Sequence, residues 1–239
     1  MIDSKMKYLV VARHGQSFAN RRLQKEKNGF KYSLAGSDTS IGLTARGKNQ
    51  SRNSGSALQK LFSAERRFRR MYVNRFERVR QSGSLIRSRF DYSLECFEDK
   101  RLEKRSYGVF WNLTYRGVQE LYPDEYAIFQ ALGPLRYRPP GGENYNDLFE
   151  RVQNFCDEEA LASFQGNQLI VTSSAVMLAF RRLFAGLSDA DLVEQYESMH
   201  IGNGDFDIYE FDEQSGTWKL KYIYAAKFAG RPQALRAAS

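Results

Sequence analysis

The chain has 239 residues, of which 42% are hydrophobic and 27% are charged, and its formal net charge is +8. This length and composition predict one globular domain and exclude a chain that is disordered throughout. Its apolar runs are too short for a membrane span or for the core of a signal peptide, so we expect a cytoplasmic protein with no membrane partner.

The first half of the chain alternates between short strands and helices. The apolar run KYLVVAR, residues 7–13, predicts a strand buried on both faces, and a loop is expected after it. A threonine cap before an amphipathic segment predicts a helix over residues 44–62. A second short strand is predicted over residues 71–73, and a helix is expected after Arg78 and through Ile86.

The second half begins with residues 97–142, which are rich in glycine and proline. We interpret this segment as a loop-rich insertion over the site, with one short helix at residues 124–130. A long amphipathic helix is then predicted over 144–164, a strand over 168–172, a helix over 175–184, and a hairpin of strands at 206–211 and 218–224. The alternation predicts an α/β fold, a three-layer α/β/α sandwich with a mostly parallel central sheet, in one domain at residues 1–224 with a C-terminal tail at 225–239.

The sequence RHGQSFAN, from Arg13 to Asn20, directly follows the first predicted strand. Ligands collect at the carboxyl ends of parallel strands, so this segment is a candidate site. A guanidinium group matches the shape of phosphate, and a neutral imidazole can attack phosphorus. Gly15 lets the backbone approach a ligand closely. The combination indicates phosphate chemistry at His14.

Further segments of one ordered pattern follow along the chain. They are LTARGKNQ at 43–50, ERVRQS around Arg78, LEKRSYG at 102–108, PPGGENYNDLFERV at 139–152, LIVTSSAVMLAFR at 169–181, and Asn203 before the hairpin. With the first segment, they resemble the histidine phosphatase superfamily in its phosphoglycerate-mutase-like branch. The resemblance implies that His14 is a nucleophile that accepts a phosphoryl group, and that Arg13, Asn20 and Arg78 bind phosphate.

Two positions depart from the family pattern and predict a divergent active site. Ser173 stands where the resemblance places a second histidine, and Lys104 stands where it places the glutamate that acts as general acid. Several substitutes are open. Glu103 or Glu98 could supply the acid, Lys104 could itself donate the proton, and His200 could stand in for the missing histidine.

These departures predict slow or absent turnover, and whether the chain is an enzyme stays open. A general acid contributes about 10²- to 10⁴-fold to a rate, and an electrostatic donor about 10²- to 10³-fold. An ammonium group in place of a carboxylate also makes the pocket a better anion trap. We therefore expect a pseudoenzyme whose Arg/His pocket binds a phosphorylated small molecule or a phosphoprotein. The alternative is a slow phosphomonoesterase, a phosphatase that forms a phosphohistidine at His14.

Arginines crowd residues 66–89, at Arg66, Arg67, Arg69, Arg70, Arg75, Arg78, Arg80, Arg87 and Arg89. Such a patch can attract nucleic acid or an acidic partner, which makes a scaffold role a further alternative. No nucleic-acid-binding motif accompanies the patch, so a solvated face is the simpler interpretation.

The two cysteines, Cys96 and Cys156, and the two histidines lack the spacing of a disulfide framework or a metal site. We predict neither a metal nor another cofactor. No feature of the sequence indicates the oligomeric state.

Overall fold

The computed structural model describes residues 6–25, 28–62, 66–198, 201–228 and 235–237. Within these residues, one sheet runs through the centre of the fold, and helices cover both of its faces. Its strands are β1 (Tyr8–Arg13), β2 (Phe68–Val73), β3 (Glu95–Glu98), β4 (Asn167–Thr172), β5 (Phe206–Asp212), β6 (Thr217–Tyr224) and β7 (Leu235–Ala237).

The helices are α1 (Phe18–Lys25), α2 (Ala45–Leu61), α3 (Glu77–Arg87), α4 (Tyr115–Leu121), α5 (Pro123–Arg136), α6 (Tyr145–Glu158), α7 (Ser174–Ala185) and α8 (Asp189–Glu197). Single turns of 3₁₀ helix lie at Asp38–Ser40, Lys100–Leu102, Gly108–Phe110 and Ala226–Phe228. No helix of the described residues is both long enough and apolar enough to cross a membrane.

The sheet is mixed and has the strand order β3-β2-β4-β1-β5-β6-β7. Parallel pairing joins β3, β2, β4 and β1, whereas β5, β6 and β7 add antiparallel pairs beyond β1. The register of β1 and β4 places Arg13 opposite Thr172. The four parallel strands therefore end at one edge of the sheet, which is where the predicted site residues leave β1 and β4.

Alternate residues of β1 face two separate core layers, as expected for a strand buried on both faces. Leu9 and Val11 pack with residues of α6 and α7 on one face. Tyr8, Val10 and Ala12 pack on the other face with residues of α2 and α3. These layers establish the three-layer sandwich that the sequence predicts.

Several elements differ from the sequence prediction. The loop expected after β1 contains α1, the region 97–142 contains α4 and a longer α5, and the tail contributes β7. Helix α8 was not predicted, and α6 ends at Glu158 instead of continuing to 164.

The elements that were missed or predicted too short bury few side chains. Helix α5 has no fully buried residue, and every residue of β3 is exposed. Such segments have no clear alternation between apolar and polar positions, so the pattern on which the prediction depended is absent.

Candidate functional site

The candidate site lies at the carboxyl edge of the parallel strands. His14 is the first residue after β1, and Ser173 is the first residue after β4 and the N-cap of α7. The backbone N–H of His14 donates to the Thr172 carbonyl at 2.9 Å. Because this bond holds the two strand ends together, Ser173 is brought to the neighbourhood of His14.

The loop after His14 packs directly on the start of α2. A Cβ atom at Gly15 would lie 2.1 Å from the Gly47 carbonyl oxygen, and one at Gly47 would lie 2.0 Å from the Gln16 carbonyl oxygen. The Thr44 hydroxyl accepts the N–H of Gly47 at 3.0 Å and caps α2. The segments RHG and LTARG are therefore two sides of one close backbone contact that only glycine permits.

The His14 ring is held in one tautomer. It is 4% exposed, and its Nδ1 lies 2.7 Å from the Gly15 carbonyl oxygen. A carbonyl can only accept a hydrogen bond, so Nδ1 carries the proton and Nε2 keeps its lone pair. Burial, and then the charges of Arg78 and Arg13, lower the pKa of His14 well below its usual 6.5. The imidazole is therefore neutral near neutral pH.

Two arginines lie beside this imidazole. The Arg13 side chain donates through Nη1 to the Ile201 carbonyl, and its buried Nε has no partner among the described residues. Burial, opposed in part by Asp205, lowers the pKa of Arg13 to about 10. Arg78, on α3, is 4% exposed, and burial lowers its pKa as well. Both groups keep a positive charge near neutral pH.

Ser82 fixes α3 against the loop after β1. Its hydroxyl accepts the N–H of Gly15 at 3.0 Å and donates to the carbonyl of Arg78 at 2.7 Å. One serine thus connects the backbone next to His14 with the residue that carries the second guanidinium group. The sequence contained no signal for this role, because a serine on a helix is usually a surface residue.

Lys104 is the third cation of the site. Its charge is among the causes that lower the pKa of His14, so it lies within electrostatic reach of the imidazole. Its Nζ lies 2.6 Å from Oδ2 of Asp38, whose Oδ1 lies 3.0 Å from Nη2 of Arg78. Asp38 therefore bridges two of the cations, a contact that the sequence did not predict because GSDTS reads as an ordinary loop.

The segment that carries Lys104 is anchored from three sides. The Leu102 carbonyl accepts the hydroxyl of Thr172 at 2.7 Å. Arg151, on α6, donates to the Lys104 carbonyl at 3.3 Å and to the Glu143 carboxylate at 2.7 Å. Glu143 in turn accepts the N–H of Ser106 at 2.9 Å. The PGGEN segment therefore positions Lys104.

Tyr107 is a titratable group near Lys104 that the sequence did not indicate. The Lys104 Nζ lies 5.1 Å from the centre of the Tyr107 ring, and the Arg105 guanidinium lies 4.5 Å from it. Burial favours a higher pKa for the phenol, but the charges of Arg105 and Lys104 outweigh it and lower the pKa. The phenol is therefore a second titratable group close to the ammonium.

The proposed substitutes for the acid are engaged elsewhere. The Glu103 carboxylate lies 2.8 Å from Nε of Arg75, and the Glu98 carboxylate lies 2.7 Å from Nε of Arg80. Both arginines are largely exposed. His200, the proposed substitute for the missing histidine, lies outside the described residues.

Ser173 and Asn20 differ in how their polar groups are used. The Ser173 hydroxyl is buried and has no hydrogen-bond partner among the described residues. The side-chain oxygen of Asn20 accepts the N–H of Ser17 and the Nδ2 of Asn203, each at 3.1 Å. The same Nδ2 donates to the His14 carbonyl at 3.1 Å. Asn20 and Asn203 thus order the loop around His14.

The arginines of residues 66–89 do not form one uniform patch. Arg78 belongs to the site, Arg75 and Arg80 are paired with glutamates, and Arg70 lies 4.1 Å from the centre of the Phe164 ring. Across the described part of the chain, no group of histidine, cysteine, aspartate and glutamate side chains has an arrangement that could hold a metal ion.

A neutral, buried histidine thus lies among cations at the carboxyl edge of a parallel sheet, the edge at which α/β proteins bind their ligands. The model of the histidine phosphatase superfamily (branch 1) matches residues 9–223. The chain belongs to this superfamily.

Known proteins similar to this chain agree with that assignment. The 6-phosphofructo-2-kinase/fructose-2,6-bisphosphatase 1 of Mus musculus is 27% identical over 184 residues, which are 77% of this chain and 34% of that protein. The 6-phosphofructo-2-kinase/fructose-2,6-bisphosphatase of Gallus gallus is 34% identical over 93 residues, which are 39% of this chain and 19% of that protein. The chain thus matches about a fifth to a third of the length of these relatives.

Solved structures share the fold at lower identity. The alpha-ribazole phosphatase from Shigella flexneri superposes with a TM-score of 0.70 at 20% identity, over 92% of this chain and 96% of that chain. A mycobacterial glucosyl-3-phosphoglycerate phosphatase superposes with a TM-score of 0.65 at 18% identity, over 90% of this chain and 96% of that chain.

Proposed function

We propose that this chain binds phosphate monoesters in a pocket formed by His14 and three cations, Arg13, Arg78 and Lys104. These three cations are called the phosphate clamp below. The observation that carries the proposal is their concentration around a neutral, buried imidazole. A buried cationic pocket attracts a doubly charged phosphate strongly because the surrounding protein screens charge less than water does.

Slow or absent turnover is expected from the groups at the two divergent positions. Lys104 holds an ammonium paired with Asp38, and Ser173 holds a neutral hydroxyl. Neither matches the carboxylic acid and the imidazole that the family resemblance leads us to expect. Loss of a general acid and of an electrostatic donor lowers a rate by at least about 10²-fold, although such losses rarely multiply cleanly.

Calorimetric titration with phenyl phosphate tests the binding function. The wild-type protein should bind, and Arg78→Gln should weaken binding by about tenfold or more, since it removes a charged hydrogen-bond donor. Arg80→Gln is the matched control, because Arg80 lies on the same helix but is exposed and paired with Glu98. Equal binding by both variants, or no binding by the wild type, would contradict the proposed phosphate-binding pocket.

A slow phosphomonoesterase is the second candidate, and the tautomer of His14 favours it. The free Nε2 can attack phosphorus while the bond to the leaving oxygen breaks, and that oxygen takes a proton from the Lys104 ammonium. Water then attacks phosphorus, the P–N bond breaks, and inorganic phosphate leaves while a water proton returns to the Lys104 amine, which restores both the imidazole and the ammonium. Rapid mixing with p-nitrophenyl phosphate should then release a burst of nitrophenolate, and His14→Asn should abolish it.

Finer points of function stay predictions. These are the cytoplasmic location, the carrier of the phosphate as a small molecule or a phosphoprotein, and docking of nucleic acid or an acidic partner on the arginines of residues 66–89. A steep loss of nucleic-acid binding with added salt would support the docking role.

A further inference from the structure

Asp38 makes three contacts with the clamp. Its Oδ1 lies 3.0 Å from Nη2 of Arg78, and its Oδ2 lies 2.6 Å from Nζ of Lys104. Its backbone carbonyl accepts Nη1 of Arg78 at 2.7 Å. Each carboxylate oxygen of Asp38 thus pairs with a different cation.

A carboxylate placed in this way satisfies the cations as an anionic ligand would. The Arg78 side chain is 5% exposed, and a guanidinium group that has lost this much water is costly unless an anion pairs with it. A phosphate that is to use the same N–H groups must therefore replace the Asp38 carboxylate or tolerate its repulsion.

The local structure lets the carboxylate leave. Asp38 begins a single 3₁₀ turn, Asp38–Ser40, which has no buried residue. The hydroxyl of its N-cap, Ser37, bonds to the hydroxyls of Thr39 and Ser40 and makes no capping hydrogen bond to the turn. The bond from Arg78 to the Asp38 backbone carbonyl does not depend on the carboxylate. Rotation of the Asp38 side chain alone would free both cations and leave the turn attached.

We propose that Asp38 is a specificity-determining residue that occupies the clamp in the free protein and is displaced by the ligand. This inference rests on the proposed function and names the ligand class. Replacement of the Asp38 carboxylate by another singly charged anion gains little Coulomb energy. A doubly charged anion gains the attraction of one additional negative charge to the clamp. The clamp therefore selects phosphate monoester dianions over diesters and carboxylates.

Two tetrahedral anions of fixed charge test the inference by calorimetry at pH 7.5. Sulfate carries two charges and methanesulfonate carries one, and neither is hydrolysed. The wild-type protein should bind sulfate much more tightly than methanesulfonate. Asp38→Asn should bind both anions about tenfold or more tightly than the wild type, and by the same factor, because the cost of emptying the clamp does not depend on what enters it.

An equal gain in affinity for the two anions distinguishes displacement of the Asp38 carboxylate from simple repulsion of the ligand by it. If Asp38 stays in place and only repels, its removal helps a dianion by about the square of the factor that it helps a monoanion. That result would overturn the inference. Glu77→Gln is the matched control, since it removes one negative charge next to Arg78 in the chain, and within the described residues the Glu77 carboxylate bonds only to Gln81. It should change sulfate affinity by less than about twofold.

Failure of this inference and failure of the proposed function are distinguishable. If the wild type binds phenyl phosphate but Asp38→Asn leaves sulfate affinity unchanged or weaker, the inference is wrong and the binding function stands. If neither protein binds phenyl phosphate or sulfate, both are wrong. Should Asp38→Asn fail to fold, a crystal structure of the wild type with sulfate decides, because the Asp38 carboxylate must then have left both Arg78 and Lys104.

Discussion

The chemistry of this chain depends on which proton carriers surround His14. Nε2 of His14 keeps its lone pair, the Lys104 ammonium is paired with Asp38, and the Ser173 hydroxyl has no hydrogen-bond partner among the described residues. Under the proposed function, the nucleophile and the cations that bind phosphate are therefore separable from the groups that move a proton. This separation can be measured at single residues.

Restoration of both family residues should restore turnover. The double variant Ser173→His, Lys104→Glu is expected to raise kcat on phenyl phosphate by about 10²-fold or more, because it returns a general acid and a charged donor. The gain should be smaller on p-nitrophenyl phosphate, whose leaving group departs without protonation. Steady-state kinetics with both esters check this expectation.

The same double variant needs a control in which His14 is also changed to Asn, which should be inactive. Equal gains on the two esters would show that the new carboxyl group does not act as the acid. No gain on either would mean that the segment of Lys104 is positioned differently from that of active relatives.

At the scale of elements, the site depends on contacts between backbones. The start of α2 touches the loop after β1 so closely that neither Gly15 nor Gly47 has room for a methyl group. Ser82 connects the same loop to α3, and Glu143 with Arg151 connects the Lys104 segment to α6. Elements that are far apart in the chain thus hold each charged group in place.

Gly47→Ala should therefore disturb the site as well as the fold. Its new methyl group would meet the Gln16 carbonyl oxygen at 2.0 Å, so the loop or α2 must move. Overpacking of this kind costs about 1–3 kcal/mol of unfolding free energy. We expect that loss in urea denaturation, together with weaker binding of phenyl phosphate.

Gly29→Ala is the control for this change. A Cβ atom at Gly29 would come no closer than 3.5 Å to the Lys31 carbonyl oxygen. The control should keep the stability and the affinity of the wild type. Stability of Gly47→Ala equal to that of the control would contradict the close packing of the two loops.

At the scale of the whole molecule, burial of His14 couples stability to pH. Burial and the charges of Arg78 and Arg13 lower the pKa of His14 in the folded state, whereas an unfolded histidine titrates near 6.5. Below about pH 6.5 the unfolded chain takes up a proton that the folded chain refuses. The free energy of unfolding therefore decreases as the pH falls below about 6.5.

Comparison of the wild type with His14→Asn isolates this effect, because all other titrating groups are common to both. Between pH 7.5 and 5.5 the wild type should lose about 1 kcal/mol more of unfolding free energy than the variant does. Urea denaturation at each pH, in buffer without phosphate or sulfate, measures the difference. Parallel pH profiles would show that His14 titrates normally and is exposed to solvent.

Strongly periodic or capped segments could be predicted from the sequence because burial on one or two faces leaves a repeating pattern. Strands β1 and β4, helices α2 and α7, and the hairpin of β5 and β6 are of this kind. Elements that bury little carry no such pattern: α5 was predicted only in part, and β3 was missed.

The order of the sequence by itself determined the family and the strand ends at which His14 and Ser173 stand, because these depend on residues close to one another in the chain. It also predicted two departures from the family pattern. Only the tertiary structure decided which charges meet. Asp38 reaches Arg78 and Lys104 from a separate loop, and Glu103 and Glu98 pair with Arg75 and Arg80. Ion pairs between distant segments form through packing of whole elements, and no local spacing records them.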